Sequence, residues 1–586
     1  MAKDETGGES GGRGESGGGG AEKGGRGRRR SGRRGRRRGK GPAATGDSRP
    51  TSTAGESQGG ERKPSDRKSG DRKPNERKAS DRKPKERQAS DGKAGERRRG
   101  PRRPPRRRSP EGRSQEGRRP QEERRNPEAA ASAPAPKPRA ASPVELKAKK
   151  GFHRFDDVRD CFERVLNVSV ADETELVWLE RRRAVVNLTE GPDAVEKPRL
   201  SVLVRVVDGG RQGWYRTDTA DSNLLESGVR QALALSKAQK RFEKRPILPT
   251  DEGEMRAPQE LYDRDVGRLL PGEAQSMLRD LCGEGENAQL AWSEARLVIH
   301  NSHGLRRSAA LSEVSLEVRS GEGLGAAYAA GSARRLAELN AESIRDRARA
   351  LRVDGSAGEL PDGPVPVLLS PEASVECLNV VNAHAFSGRS FLEGTSFLSK
   401  HRNIQVFDNK IYVRDDGTTG GLAFPFDFEG SLKSPHELII AGKPSTPALS
   451  RAQGFRAGLE STANSVGGQD AMFSNLFMMP GEANSEELLR QAEGGLAIGW
   501  LEPVECFEPQ ALRIRAIARG VRRVRDGALA EPLPDLIWEA SLLASFGRLR
   551  AVGQDTVIRA MPTTPLGGIS APALVLAETG GFSALW

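Results

Sequence analysis

The chain has 586 residues and a formal net charge of +14, but that charge is unevenly placed. Residues 1–150 hold 45 Lys and Arg against 21 Asp and Glu, a net of +24, whereas residues 151–586 hold 50 against 60, a net of −10. With no Phe, Trp or Tyr before residue 151, the first part lacks the apolar groups of a core, so the expectation is a basic tail ahead of an acidic, folded body.

Within the tail, arginines cluster at Arg28, Arg29 and Arg30, at Arg36, Arg37 and Arg38, and at Arg106, Arg107 and Arg108. Between these blocks, residues 61–100 form eight pentads such as ERKPS and DRKPN, each beginning with an acid. A period of five fits neither helix nor strand, and prolines recur, so the tail of residues 1–150 is expected to be disordered. Such arginines neutralise phosphates in RNA or DNA without reading sequence, since there are no rings to stack on bases. A solubilising spacer is the alternative. The start of the chain is polar and no apolar run approaches the length of a membrane span, which predicts no membrane association. Four cysteines, Cys161, Cys282, Cys377 and Cys506, lie far apart with no paired spacing, which suits a cytoplasmic protein.

The body opens with helical spacing of Phe155, Val158, Cys161, Phe162 and Val165, predicting a helix over 154–166. Strands are expected at 176–181 and 184–188, then a hairpin of 199–207 and QGWYRTD across Asp208-Gly209-Gly210-Arg211. Asp221 or Ser222 should cap a helix reaching residue 240. A helix over 273–281 and strands at 295–300 and 305–318 follow, the last two joined by the turn Asn301-Ser302-His303-Gly304. His300 and His303 there invite a metal reading, but turn chemistry explains the segment without one. Residues 320–331, SGEGLGAAYAAG, read as a bulged or tightly packed strand. A helix over 341–351 carries a charged, solvated face.

Residues 364–369 (PVPVLL) then read as a buried strand, with Ser370 as N-cap and Pro371 at the first position of a helix running to Ala385. Cys377, Leu378, Val381 and Ala385 share its core face. The runs AFSGRSFLEGTSFL (385–398), DNKIYVRDDG (408–417) and FPFDFEG (424–430) resemble the C-terminal domain of the TldD/PmbA family, and VRVVDGGRQGW with its flanking elements resembles the family's N-terminal domain. The resemblance implies an α+β body of two domains, 151–355 and 356–586. In that family the TldD branch is a metallopeptidase with an H-E-x-x-x-H helix and a cysteine ligand near the C-terminus. The PmbA/TldE branch keeps the fold without the ligands.

Counted from SGRSFLEGTSF, the H-E-x-x-x-H slots fall on Val380, Val381 and Ala385, none of which can bind a metal. His384 lies one residue short of the second histidine slot. His436-Glu437 is followed by Leu-Ile-Ile-Ala and reads as a strand. After Cys506 there is no cysteine, and residues 567–581 are apolar. The resemblance therefore implies a PmbA/TldE-like member with no metal or other cofactor, pairing with a TldD-like metallopeptidase subunit or with itself and enclosing extended peptides. The candidates for peptide contact are Arg389, Ser390 and Phe391, with Asp427 and Glu429, whose i, i+2 spacing on an extended backbone puts both carboxylates on one side opposite Phe424, Phe426 and Phe428. The alternatives are an active peptidase with displaced ligands drawn from His384, Glu372, Glu376 and Cys377, and a nucleic-acid-associated protein acting through its tail.

Downstream, Asn484 with Glu487 signals a capped helix ending at Gly494-Gly495. Residues 496–503 and 511–529 supply strands with an internal hairpin, 538–546 reads as a short helix, and 573–577 as a closing apolar strand. G-x-S-x-G matches occur only in the tail, and there is no Walker loop.

Overall fold

The computed structural model describes residues 151–192, 196–242, 248–251, 253, 261–564 and 566–585. The tail of residues 1–150, with its expected disorder and its arginine blocks, lies outside the described residues.

The first helix, Phe155–Val168, buries Val158, Cys161, Phe162 and Val165 as their spacing requires. The next strand, Glu173–Asn187, is continuous where two strands were expected, pairing with Arg199–Asp208 on one side and Glu286–Asn301 on the other. Its run of arginines is an alternation: Arg181 and Arg183 point to one face while Ala184 and Val186 are buried on the other. Gly209 and Gly210, at φ +54° and +75°, make the hairpin turn to Arg211–Thr217. The carboxylate of Asp221 accepts from the N–H groups of Asn223 and Leu224 at 2.9 and 3.0 Å, capping a helix that ends at Ser236 rather than at residue 240.

The strands Glu286–Asn301, Arg306–Ser320 and Ala327–Ala333, with the two-residue strand Gly191–Pro192 paired to Glu173–Asn187, complete a seven-stranded sheet. The expected strand over 320–331 is corrected: Gly321, Gly323 and Gly325 all have positive φ and form a loop, and pairing begins at Ala327. One face of the sheet packs Leu290, Trp292, Val314 and Leu316 against Leu278 and Ile344 of the helices Pro271–Leu281 and Ala341–Ala350. The other face is left polar along part of its length, which matters for the site.

A second sheet of twelve strands is built from Val365 onward. At its centre Val365–Leu369 lies parallel to Leu496–Glu508 and antiparallel to Gly568–Thr579. His436–Ile440 is a strand, as HELII suggested. Arg513–Arg525 and Ala528–Leu533 form the anticipated hairpin across Asp526 and Gly527. Two expectations fail here. Trp538 belongs to a strand, Leu536–Ser541, and only Leu542–Ser545 is helical. Phe424–Gly430 is a turn held by the bridge between Phe426 and Leu432, with Gly430 at φ +77°, and is not an extended strand. The strand Leu549–Arg559, which the sequence reading passed over, pairs with Gly568–Thr579. Helices interspersed among mostly antiparallel strands make the α+β class expected from the sequence. Among the described residues no helix is long and apolar enough to cross a membrane.

Candidate functional site

The helix Pro371–Ala385 starts where the sequence placed it, because Ser370 closes both ends of the junction. Its hydroxyl donates to the Gly499 carbonyl at 2.5 Å and accepts from the Ala373 N–H at 3.0 Å, while Pro371 occupies the position that needs no donor. The helix is covered on most of its circumference. Val380, Val381 and Ala385, the positions at which the resemblance leads one to expect ligand slots, are 6%, 2% and 0% exposed in the largest apolar cluster.

Nearby donors diverge. Glu372 accepts from the Ala330 N–H at 3.1 Å and from Arg347 at 2.8 Å, crossing to the first sheet. Glu376 pairs with Arg559 at 3.0 Å, and burial raises its carboxyl above the usual range despite that cation. Cys377 is sealed in the core, where burial pushes its thiol up. His384 is half-buried, and burial holds its imidazole below the ordinary histidine range. His300 packs edge-on against Phe162 and is held down to about 4 by burial, then by Arg306, whereas His303 turns towards Glu173 at 3.4 Å. The strand Gly568–Thr579 is apolar through most of its length. Among the described residues no group of three or more His, Cys, Asp or Glu side chains is placed to hold a metal ion. The donor set does not fit a zinc centre, which needs at least three converging ligands.

Beside this helix lies a cleft of about 440 Å³ between the two sheets. Its floor is the polar face of the first sheet, where Arg183, Ser293 and Glu313 stand opposite one another on adjacent strands and Ser315 meets Ser332, hydroxyl to hydroxyl, at 2.8 Å. Its roof is the segment from Arg559 to Leu566. Arg559 fixes the corner: it reaches Glu376 of the helix, contacts Glu317 of the floor at 3.4 Å, and lies 5.7 Å from the centre of the Tyr328 ring. The Ala560 N–H donates to Ser332 at 3.0 Å, and Thr563 donates to Asn379, immediately before Val380. A polar cleft thus abuts the helix that carries Val380, Val381 and Ala385.

Arg389, Ser390 and Phe391 sit in a short helix, Gly388–Leu392, capped by Ser387. Asp427 and Glu429 are each 2% exposed. Asp427 accepts from the N–H groups of Glu429, Ser431 and Ser465, and Glu429 accepts from Arg205 and from the Arg451 N–H. None of these five residues lines the cleft. The residues that do, Glu313, Glu317, Ser332 and Arg559, were missed by the sequence reading. Their one local signal is the Glu-x-Ser-x-Glu alternation at 313–317, which puts polar groups on a single face.

Fold and cleft define a mixed α+β protein in which two sheets meet at a polar groove beside a buried helix. Residues 362–580 match the PmbA/TldA metallopeptidase C-terminal domain. The fold resembles TldE from Thermococcus kodakarensis, with a TM-score of 0.62 over 73% of this chain and 99% of that one at 16% identity. It also resembles a proposed modulator of DNA gyrase from Thermotoga maritima, with a TM-score of 0.60 at 20% identity over 72% of this chain and 99% of that one. A metalloprotease of Methanothermobacter thermautotrophicus is 24% identical over 200 residues, which cover 33% of this chain and 44% of the relative. Residues 362–580 of the chain thus carry a PmbA/TldA metallopeptidase C-terminal domain, and the fold of the described residues is TldE-like.

Proposed function

We propose that this chain is a PmbA/TldE-type subunit with no catalytic metal of its own, which holds extended peptides beside a metal-bearing TldD-type subunit during peptide processing. The observation that carries the reading is the burial of Val380, Val381 and Ala385 at the ligand positions, with the acids nearby engaged by Arg347 and Arg559. The cleft suits an extended chain because its floor offers hydroxyls and charges in rows at strand spacing, and Arg559 ties floor to helix so that the groove keeps its width. The chain works in the cytoplasm as two domains, 151–355 and 356–586, and assembles with the ligand-bearing partner or with itself.

Purification from native cells tests this. The expected outcome is co-purification with a chain carrying H-E-x-x-x-H, less than stoichiometric zinc on this chain alone, and peptide cleavage only by the pair. Stoichiometric zinc with chelator-sensitive cleavage by the isolated chain would refute it.

A further inference from the structure

Where the turn Phe424–Gly430 meets the first sheet, four buried acids gather around two buried cations, with Lys240 and Arg456 lining a small pocket beside Arg205 and Glu429. Arg205, 2% exposed, donates to Glu175 on the neighbouring strand at 2.7 Å and to Glu429 in the turn, and its guanidinium lies 5.3 Å from the centre of the Trp214 ring. Beyond Glu429 come Asp427, then Lys433, which donates to Ser474, then Asp415 on the strand Val413–Asp415. Two cations, Arg205 and Lys433, thus stand among four acids, Glu175, Asp415, Asp427 and Glu429, all of them buried. Asp415 satisfies the N–H groups of Ser474 and Asn475 with one oxygen, and its other oxygen is buried without a hydrogen-bond partner. On the same strand as Glu175, Glu173 accepts from the Leu248 N–H and faces His303 at 3.4 Å.

Carboxylates buried this close together repel one another in a low-dielectric interior, and taking up a proton relieves that repulsion. We propose that this cluster is a proton-operated latch: protonated, it fastens the turn Phe424–Gly430 to the strands Glu173–Asn187 and Arg199–Asp208, and proton loss loosens that fastening. Burial, then the charge of Glu429, pushes Asp427 up to about 7, and burial, only partly offset by Arg205, pushes Glu175 up to about 8. The latch connects to the cleft by a short route. Arg334, fully buried, donates to the carbonyls of Leu422 and Ala423 at the entry of the turn and to that of Leu566 in the cleft roof. Phe424, Phe426 and Phe428 also share an apolar cluster with Leu566.

The sign follows from the two states. An unfolded carboxyl titrates near its ordinary value of about 4, whereas the folded cluster keeps its proton to about 7 or 8, so the folded chain binds more protons in between. Stability contributed by the proton is fully present below about pH 4, falls steadily as pH rises from there through the folded values, and levels off above them. Trp214, against Arg205, reports on the cluster locally.

The experiment follows urea unfolding midpoints and tryptophan emission of the full chain from pH 5.5 to 9, for the wild type, Glu175→Gln and Trp214→Phe. The wild type should lose stability across pH 6–8 with a linkage of about one proton or more, and its emission should change over the same interval. Glu175→Gln, which keeps an oxygen for Arg205, should lose about one proton of that linkage, and Trp214→Phe should lose the emission change. A flat wild-type profile, or an undiminished slope in a folded Glu175→Gln variant, would overturn the proposal. Should Glu175→Gln fail to fold, the infrared absorption of protonated carboxyl in the wild type decides: present at pH 6 and gone by pH 9 supports the latch, absent at pH 6 overturns it.

Discussion

Ser370 shows how one residue can set the register of the whole site. Its oxygen caps the helix that follows and ties it to the Gly499 carbonyl on the neighbouring strand, so Ser370→Ala removes a cap and leaves a buried carbonyl without its donor. A cap is worth about 1 kcal/mol and an orphaned buried group about 1–3 kcal/mol, so we expect a loss of about 2–4 kcal/mol, read as a lower urea midpoint with an unchanged m-value. The sequence made this residue legible because its partner atom in the cap is three residues away. Asp427 and Glu429 were legible only as a spaced pair. The partners that turn them inward, Arg205 and Ser465, lie 224 and 38 residues away, and Gly430 bends the backbone that alternation had treated as extended.

The same contrast governs elements. The helix Pro371–Ala385 could be drawn to its exact bounds because cap, proline and apolar spacing agreed. LIWEASLLASF has good local helix formers, yet Leu536–Ser541 is a strand, because it fills the gap between Arg513–Arg525 and Phe582–Ala584. Tertiary pairing decided there, and no window of sequence contains it. The aliphatic side chains at the slots that the resemblance implies also make a prediction at this scale. Installing Val380→His, Val381→Glu and Ala385→His together should not create a zinc centre: the third ligand is missing, since the strand Gly568–Thr579 offers no thiolate. Ala385 is completely buried, so an imidazole there overpacks the core at a cost of about 1–3 kcal/mol, and Val381→Glu adds an unpaired buried acid. The expected result is a lowered melting temperature that added zinc does not restore. Zinc-dependent stabilisation of the triple variant would show that donors can converge at this helix after all.

At the scale of the molecule, the α+β body was legible from the order of its hairpins and helices, but the cleft was not. Its corner joins Glu317 to Arg559, 242 residues apart, and such closures follow from how two sheets face each other. What sequence does determine at this scale is charge. Residues 1–150 carry a net of +24 and residues 151–586 a net of −10, so the part that could hold a polyanion and the part that would repel one are separate stretches of chain. Binding through arginines to phosphates releases counterions and weakens steeply with salt, by factors of about 10³–10⁵ between low and moderate ionic strength when six to ten contacts form. The full chain should therefore be retained on immobilised duplex DNA or RNA at low salt and elute at moderate salt, with little preference among sequences because the tail has no aromatic ring to stack on bases. Residues 151–586 alone should pass through at every salt concentration. Retention of that fragment, or full-chain binding that withstands moderate salt, would place a nucleic-acid contact on the acidic body and remove the tail as its cause.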